Sequence, residues 1–184
     1  MTDTSHKAAS QTLREIASWQ PGRGSADSDL LPELSTMVAR SRDLSRNHGI
    51  ASGAMQTLTD NIVGTGFRLS AKPDYKLLGK TKDWEEEWQT TVEGLWRSWS
   101  ETFMCDAAQS LNFHGLTTQV FKSCLINGEA LALALWLPER PVATTIQLIE
   151  PDRLSNPNNS TDSKNLRGGV EVDRFGAPVA YYIL

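Results

Sequence analysis

The sequence predicts an α+β protein, with N-terminal helices packed against antiparallel β hairpins that come last. Three observations predict it. Apolar residues recur every three or four positions through most of the chain up to Leu125, the spacing of one helix face. From Glu129 onward the period shortens towards two, as in a half-buried strand. Clusters of Gly, Asn and Pro fall between these blocks, where helices and hairpins have to stop.

Residues 1–27 are polar, contain the breaker cluster Pro21-Gly22-Arg23-Gly24-Ser25, and read as a flexible arm, with a short helix over 11–19. Residues 28–184 read as the folded part. A helix over 28–47 places Leu30, Leu34, Met37, Val38, Ser41 and Leu44 on one stripe, with Ser28 as cap and Pro32 in the first turn. Asn47-His48-Gly49 stops it. A second helix over 50–63 sets Ile50, Ala54, Leu58 and Ile62 in line and ends at Gly64-Thr65-Gly66.

Phe67 to Ala71 alternates and predicts a strand over 67–71. The helix over 82–100 carries a stripe of Trp84, Trp88, Val92, Leu95 and Trp99, and its first turn is acidic, which suits the helix dipole. A helix over 113–125 uses Leu116, Val120, Phe121 and Cys124, with Asn112 as cap and Asn127-Gly128 as terminator. Strands over 129–137 and 144–149 form one hairpin, and strands over 169–173 and 178–183 form another, across a polar loop from Pro151 to Arg167. The closing segment Val179-Ala180-Tyr181-Tyr182-Ile183-Leu184 is apolar β sequence, which needs a neighbour or a cover. The expectation is a fold incomplete at its C-terminus.

Composition narrows the function. The chain has 184 residues, 39% hydrophobic and 22% charged, which is ordinary for a chain with a core. Lys+Arg 18 against Asp+Glu 22 gives a net charge of −4, which does not suit non-specific gripping of nucleic acid. Two cysteines, Cys105 and Cys124, are too few for a disulfide framework or a Cys-based zinc site. No apolar run approaches the roughly 20 residues of a membrane span, and Met1 to Lys7 lacks the apolar core of a signal peptide. No membrane association is expected.

The chemistry-bearing residues are few. No GxxxxGK[ST] or HExxH is present, and His6, His48 and His114 are dispersed, so neither cofactor nor metal is expected. Cys105, Asp106 and His114 can be drawn as a nucleophile set, but such a set is defined by geometry in space. Glu129 and Glu150 flank the first hairpin and can be drawn as paired carboxylates. Arg40, Arg42 and Arg46 form the one basic cluster, with Arg42 and Arg46 one helical turn apart and Arg40 turned away from Arg42. Arginine forks suit phosphate, so a small nucleic-acid-binding module is the alternative reading. A charged helix face or an intersubunit salt bridge is the plainer one.

The order of motifs resembles one family. Arg40-Ser-Arg-Asp-Leu-Ser-Arg-Asn47, Gly49-Ile-Ala-Ser-Gly-Ala-Met-Gln56 and Asp60-Asn-Ile-Val-Gly-Thr-Gly-Phe-Arg-Leu69 are similar to the N-terminal signature of lambda-type phage portal proteins. Trp96-Arg-Ser-Trp99, Asp106, Asn112-Phe113, Gly128-Glu129, Leu148-Ile-Glu-Pro-Asp-Arg-Leu154 and Gly169-Val-Glu-Val-Asp-Arg-Phe-Gly-Ala-Pro-Val-Ala-Tyr-Tyr182 follow in the family's order.

The resemblance implies a structural subunit with no catalytic residue and no cofactor. Its setting would be a homo-oligomeric ring at one capsid vertex, in the virion and, during assembly, in the host cytoplasm. Double-stranded DNA would pass through the ring, with capsid and terminase proteins as partners. Residues 28–184 would be part of the outer wing domain. Family-motif or interface candidates are Arg40, Arg42, Arg46, Asn47, Asn61, Gly64, Glu150, Asp152 and Arg153. Family members run to several hundred residues, so the expectation is an N-terminal portion or truncated fragment.

Overall fold

The α-helices come first and the two small antiparallel sheets follow, in the α+β order expected. The computed structural model describes residues 8, 10 and 12–184. The chain divides into two units, residues 1–34 and 35–184.

In the first unit the Leu13 carbonyl accepts from Ile16 and Ala17, and Trp19 N donates to Ile16. This is one turn rather than the helix expected over 11–19, and Gln11 lies outside the described residues. Helix α1 then runs over Ala26–Asn47, starting two residues before the expected 28–47. The reason is a cap by Ser25, whose Oγ accepts from Ser28 N at 3.2 Å. Ser28 is therefore inside the helix, and Pro32 lies beyond the first turn. There it leaves the Ser28 carbonyl without its usual helical donor.

In the second unit α2 spans Gly49–Ile62, one residue earlier than predicted, and α3 spans Lys82–Ser100 as predicted. Helix α4 spans Phe113–Asn127, two residues longer than expected, because Gly128 takes a left-handed φ of 82° only after Asn127. Asn112 caps its start, accepting from Gly115 N at 2.9 Å.

Strands β1 (Leu131–Trp136) and β2 (Thr144–Ile149) pair antiparallel, with Leu131 opposite Ile149 and Trp136 opposite Thr144. Strands β3 (Leu166–Arg167), β4 (Val170–Val172) and β5 (Pro178–Tyr181) form the second sheet in the order β3-β4-β5. Strand 129–137 is thus shorter than expected and 144–149 is as expected. Strand 169–173 is trimmed by positive φ at Gly169 and by a turn in which Asp173 Oδ1 accepts from Phe175 and Ala177. Strand 178–183 is interrupted after Tyr181. Ile183 instead bridges to Leu154, with Leu184 N donating to the Arg153 carbonyl at 2.8 Å. Strand β3 was hidden in the polar loop.

Four expectations fail. Residues 67–71 form no strand, because alternation makes a strand only where a neighbour supplies the ladder. Here Ala71 N donates to Glu93 Oε1 on α3 at 3.0 Å, while Phe67 and Leu69 are exposed. On α2 the inward line is Ala51, Met55, Thr59 and Val63, rotated by one residue from the expected Ile50, Ala54, Leu58 and Ile62. On α3 Leu95 is 66% exposed, and Trp96 takes its place inside with Trp99 and Phe113, ring centroids 5.0–5.5 Å apart. Cys124 is exposed rather than packed.

The core is small. Among the described residues the buried apolar side chains are Val63, Ala71, Cys105, Leu116 and Ile149.

Candidate functional site

Two polar nodes tie the second unit together. The first begins at Arg42. Its NH1 and NH2 donate to the two carboxylate oxygens of Asp152 at 2.7 and 2.9 Å, and its Nε donates to Asn127 Oδ1 at 2.7 Å. Asn127 Nδ2 donates to Ser123 Oγ, which donates to the Glu129 carbonyl at 2.8 Å. One guanidinium therefore joins α1, the end of α4 and the short 3-10 turn Pro151–Arg153 that follows β2. A planar fork is the geometry a two-pronged carboxylate contact requires. The Arg42 hydrogen bond holds the Asp152 carboxyl below its ordinary range. Burial, and then the charge of Asp152, push the neighbouring Glu129 carboxyl up.

The second node is Asp106, 4% exposed. Its carboxylate accepts from the backbone N–H groups of Ala108, Ser110 and Leu111 and from the Ser110 hydroxyl, at 2.8–3.0 Å. Burial works against ionisation here, yet these donors outweigh it and the carboxyl lies below its usual value. The same corner stitches the first sheet to the helices. Ala107 N donates to the Ile146 carbonyl at 2.8 Å, and Arg140 donates to the carbonyls of Asp106 and Ala107. Trp99 Nε1 reaches the Thr144 carbonyl at 2.8 Å.

This geometry rearranges the sequence-derived sets. Cys105 is fully buried, its thiol donates to backbone carbonyls of Thr102 and Leu111, and burial raises its pKa. Asp106 is saturated by its own loop. His114 packs against Gly66, where an added Cβ would come within 2.9 Å of the imidazole Nδ1. The three do not form the drawn nucleophile set. Glu129 neighbours Asp152 rather than pairing with Glu150, which is exposed.

Of the motif candidates, Arg42 and Asp152 come together. Arg40 and Arg46 are both exposed, and Arg40 lines a shallow concavity on α1 with Thr36, Ala39, Asp43 and Leu44. Asn47 donates to Asp43 Oδ1, and Asn61 to the Thr57 carbonyl one turn back. Gly64 ends α2 at a φ of 54°. Arg153 donates to the Leu184 carbonyl. Asn127 and Ser123 were missed, since Asn127 read only as a helix terminator. Among the described residues no helix is long and apolar enough to cross a membrane.

The sequence model of the family described as phage portal protein, lambda family, matches residues 12–184, and the chain belongs to that family. It is 35% identical over 173 residues to portal protein B of Escherichia phage lambda, covering 92% of this chain and 32% of that protein. It is 35% identical over 173 residues to the portal protein of Escherichia phage N15, covering 92% and 33%. A probable portal protein of Halomonas phage phiHAP-1 is 24% identical over 186 residues, covering 100% and 35%. The chain thus spans about a third of the length of the curated relatives it matches.

Proposed function

We propose that this chain forms part of the wall of a portal ring, a homo-oligomer at one capsid vertex through which double-stranded DNA is packaged and ejected. Its place is the virion and, during assembly, the host cytoplasm, with capsid and terminase proteins as partners. Its role is structural rather than enzymatic. The observation that carries this reading is the family match across residues 12–184, which takes in all four α-helices and both sheets of the described residues. The two polar nodes support it, because the groups open to catalytic use are engaged in holding elements together. Arg42 and Asp152 act in this reading as an internal clamp.

A separate nucleic-acid module has less support, since Asp152 and Asn127 already take one N–H on each of the three nitrogens of Arg42, three of its five donors. Sedimentation velocity and negative-stain microscopy of the purified chain across a concentration range test the ring. Concentration-dependent closed oligomers are expected, because repeated head-to-tail contacts close into rings. A strictly monomeric chain that binds duplex DNA with a steep salt dependence overturns the reading.

A further inference from the structure

Helix α1 is 22 residues long and has no buried residue. Its apolar line is nevertheless regular. Leu30, Leu34, Met37, Ser41 and Leu44 follow one another at steps of four, three, four and three, and Leu30, Met37 and Leu44 are exposed. Helix α3 has the same steps on its outer side, in Trp84, Trp88, Thr91, Leu95 and Ser98, with Trp88 and Leu95 exposed. This alternation is the seam along which two helices pack knobs into holes. The flanks differ in sign. Arg40 borders the α1 seam, and Glu85 and Glu87 border the α3 seam, and none of the three is in an ion pair among the described residues.

We propose that the α1 seam of one copy of this chain docks antiparallel on the α3 seam of a second copy. This inference rests on the ring reading above and assigns one of its contact surfaces. Arg40 and Glu87 each stand immediately before a seam residue, Ser41 and Trp88, which brings them side by side when the helices run in opposite directions. In that alignment Met37 meets Trp88, a favourable sulfur–aromatic contact. Leu34 meets Thr91 and Leu30 meets Leu95. The other charged flank residue of α1, Glu33, then falls opposite Gly94, so no like charges face each other. The contact uses different surfaces on the two copies. It is therefore heterologous, and repetition of it generates a ring or a filament.

The test uses two single variants of the whole chain, Arg40→Glu and Glu87→Arg. Both positions are exposed, and unchanged circular dichroism checks that each variant folds. Each alone places like charges across every contact, and self-association by sedimentation equilibrium is expected to weaken by about tenfold or more. Mixed one to one, the two restore an opposite-charge pair at every alternating contact, and association returns towards that of the unsubstituted chain. Association that neither substitution changes, or that mixing does not restore, overturns this surface while leaving the ring reading standing. A chain monomeric at every concentration overturns both.

Discussion

Asp106 accepts four hydrogen bonds in a buried corner, and a carboxylate can do this because it has lone pairs and no hydrogen to place. An amide at the same position keeps the size but turns an NH2 towards some of those donors. Asp106→Asn is therefore expected to cost about 1–3 kcal/mol, read as a fall in the urea midpoint with an unchanged slope. At the other node the pair itself is modest. The Asp152 side chain is 62% exposed, and an exposed ion pair contributes up to about 1 kcal/mol. What distinguishes Arg42 is geometry, because a third donor reaches Asn127. Lysine keeps the charge but not the fork, so Arg42→Lys should lose nearly as much stability as Arg42→Ala. Matched urea denaturation of the two variants checks this. If lysine restored full stability, charge alone would explain the clamp.

Elements were legible where local chemistry decides them, and illegible where the partner decides. Helix α3, the Asn112 cap and the Gly128 stop follow from residues within one turn, and the structure has them where the sequence placed them. The inward face of α2 does not follow from its own residues. Two lines one residue apart, Ile50 to Ile62 and Ala51 to Val63, both have four-residue spacing, and the more hydrophobic of them faces outward. Helix α2 packs against α4, and the buried residues at its end, Thr59 and Val63, both belong to the other line. Similarly, Phe67 to Ala71 has the alternation of a strand but lies where α3 offers a carboxylate instead of a ladder.

The sites divide in the same way. The Arg42–Asp152 clamp joins residues 110 positions apart; Arg42 stood out as part of a basic cluster, with nothing to say what it pairs with, and Asp152 only through a family motif. A helix rotated in this manner has a measurable consequence. In the isolated chain Ile50→Gln should change stability by less than about 0.5 kcal/mol, as an exposed substitution does. Met55→Ala, at a half-buried position, should cost about 1 kcal/mol or more, as truncation of a partly packed side chain does. Thermal melts of the two variants decide which line is inside. At the second sheet, Gly169 has a φ of 82°, and an added Cβ would lie 2.6 Å from Ser155 N. Gly169→Ala therefore combines strain with a clash against backbone and should lower the melting temperature by several degrees.

For the whole chain, a small core surrounded by exposed apolar side chains means that packing alone gives limited stability and that polar ties matter more than usual. Those ties are largely carboxylates. Asp106, Asp152, Asp162 and Glu93 are all held below their ordinary values. Asp106 is held by backbone and hydroxyl donors against the effect of burial, Asp152 by Arg42, Asp162 by Gly168 N, and Glu93 by Ala71 N. A carboxyl depressed by folding adds stability that is fully present above its unfolded value, about 3.9 for Asp and 4.3 for Glu. That stability is lost as pH falls through the folded value. Glu129 has the opposite sign. Raised mainly by burial, it favours the folded state below the unfolded Glu value and loses that contribution as pH rises through its folded value. The four depressed groups outnumber it, so the chain should hold its stability from neutral pH down to about pH 5 and then lose it steeply below about pH 4. Glu129→Gln separates the two signs. It should raise the urea midpoint at pH 7, where the wild-type side chain must be charged in a half-buried place. The gain should vanish near pH 4, where that side chain is already protonated. A gain of equal size at both pH values would show that Glu129 acts through packing and not through its charge.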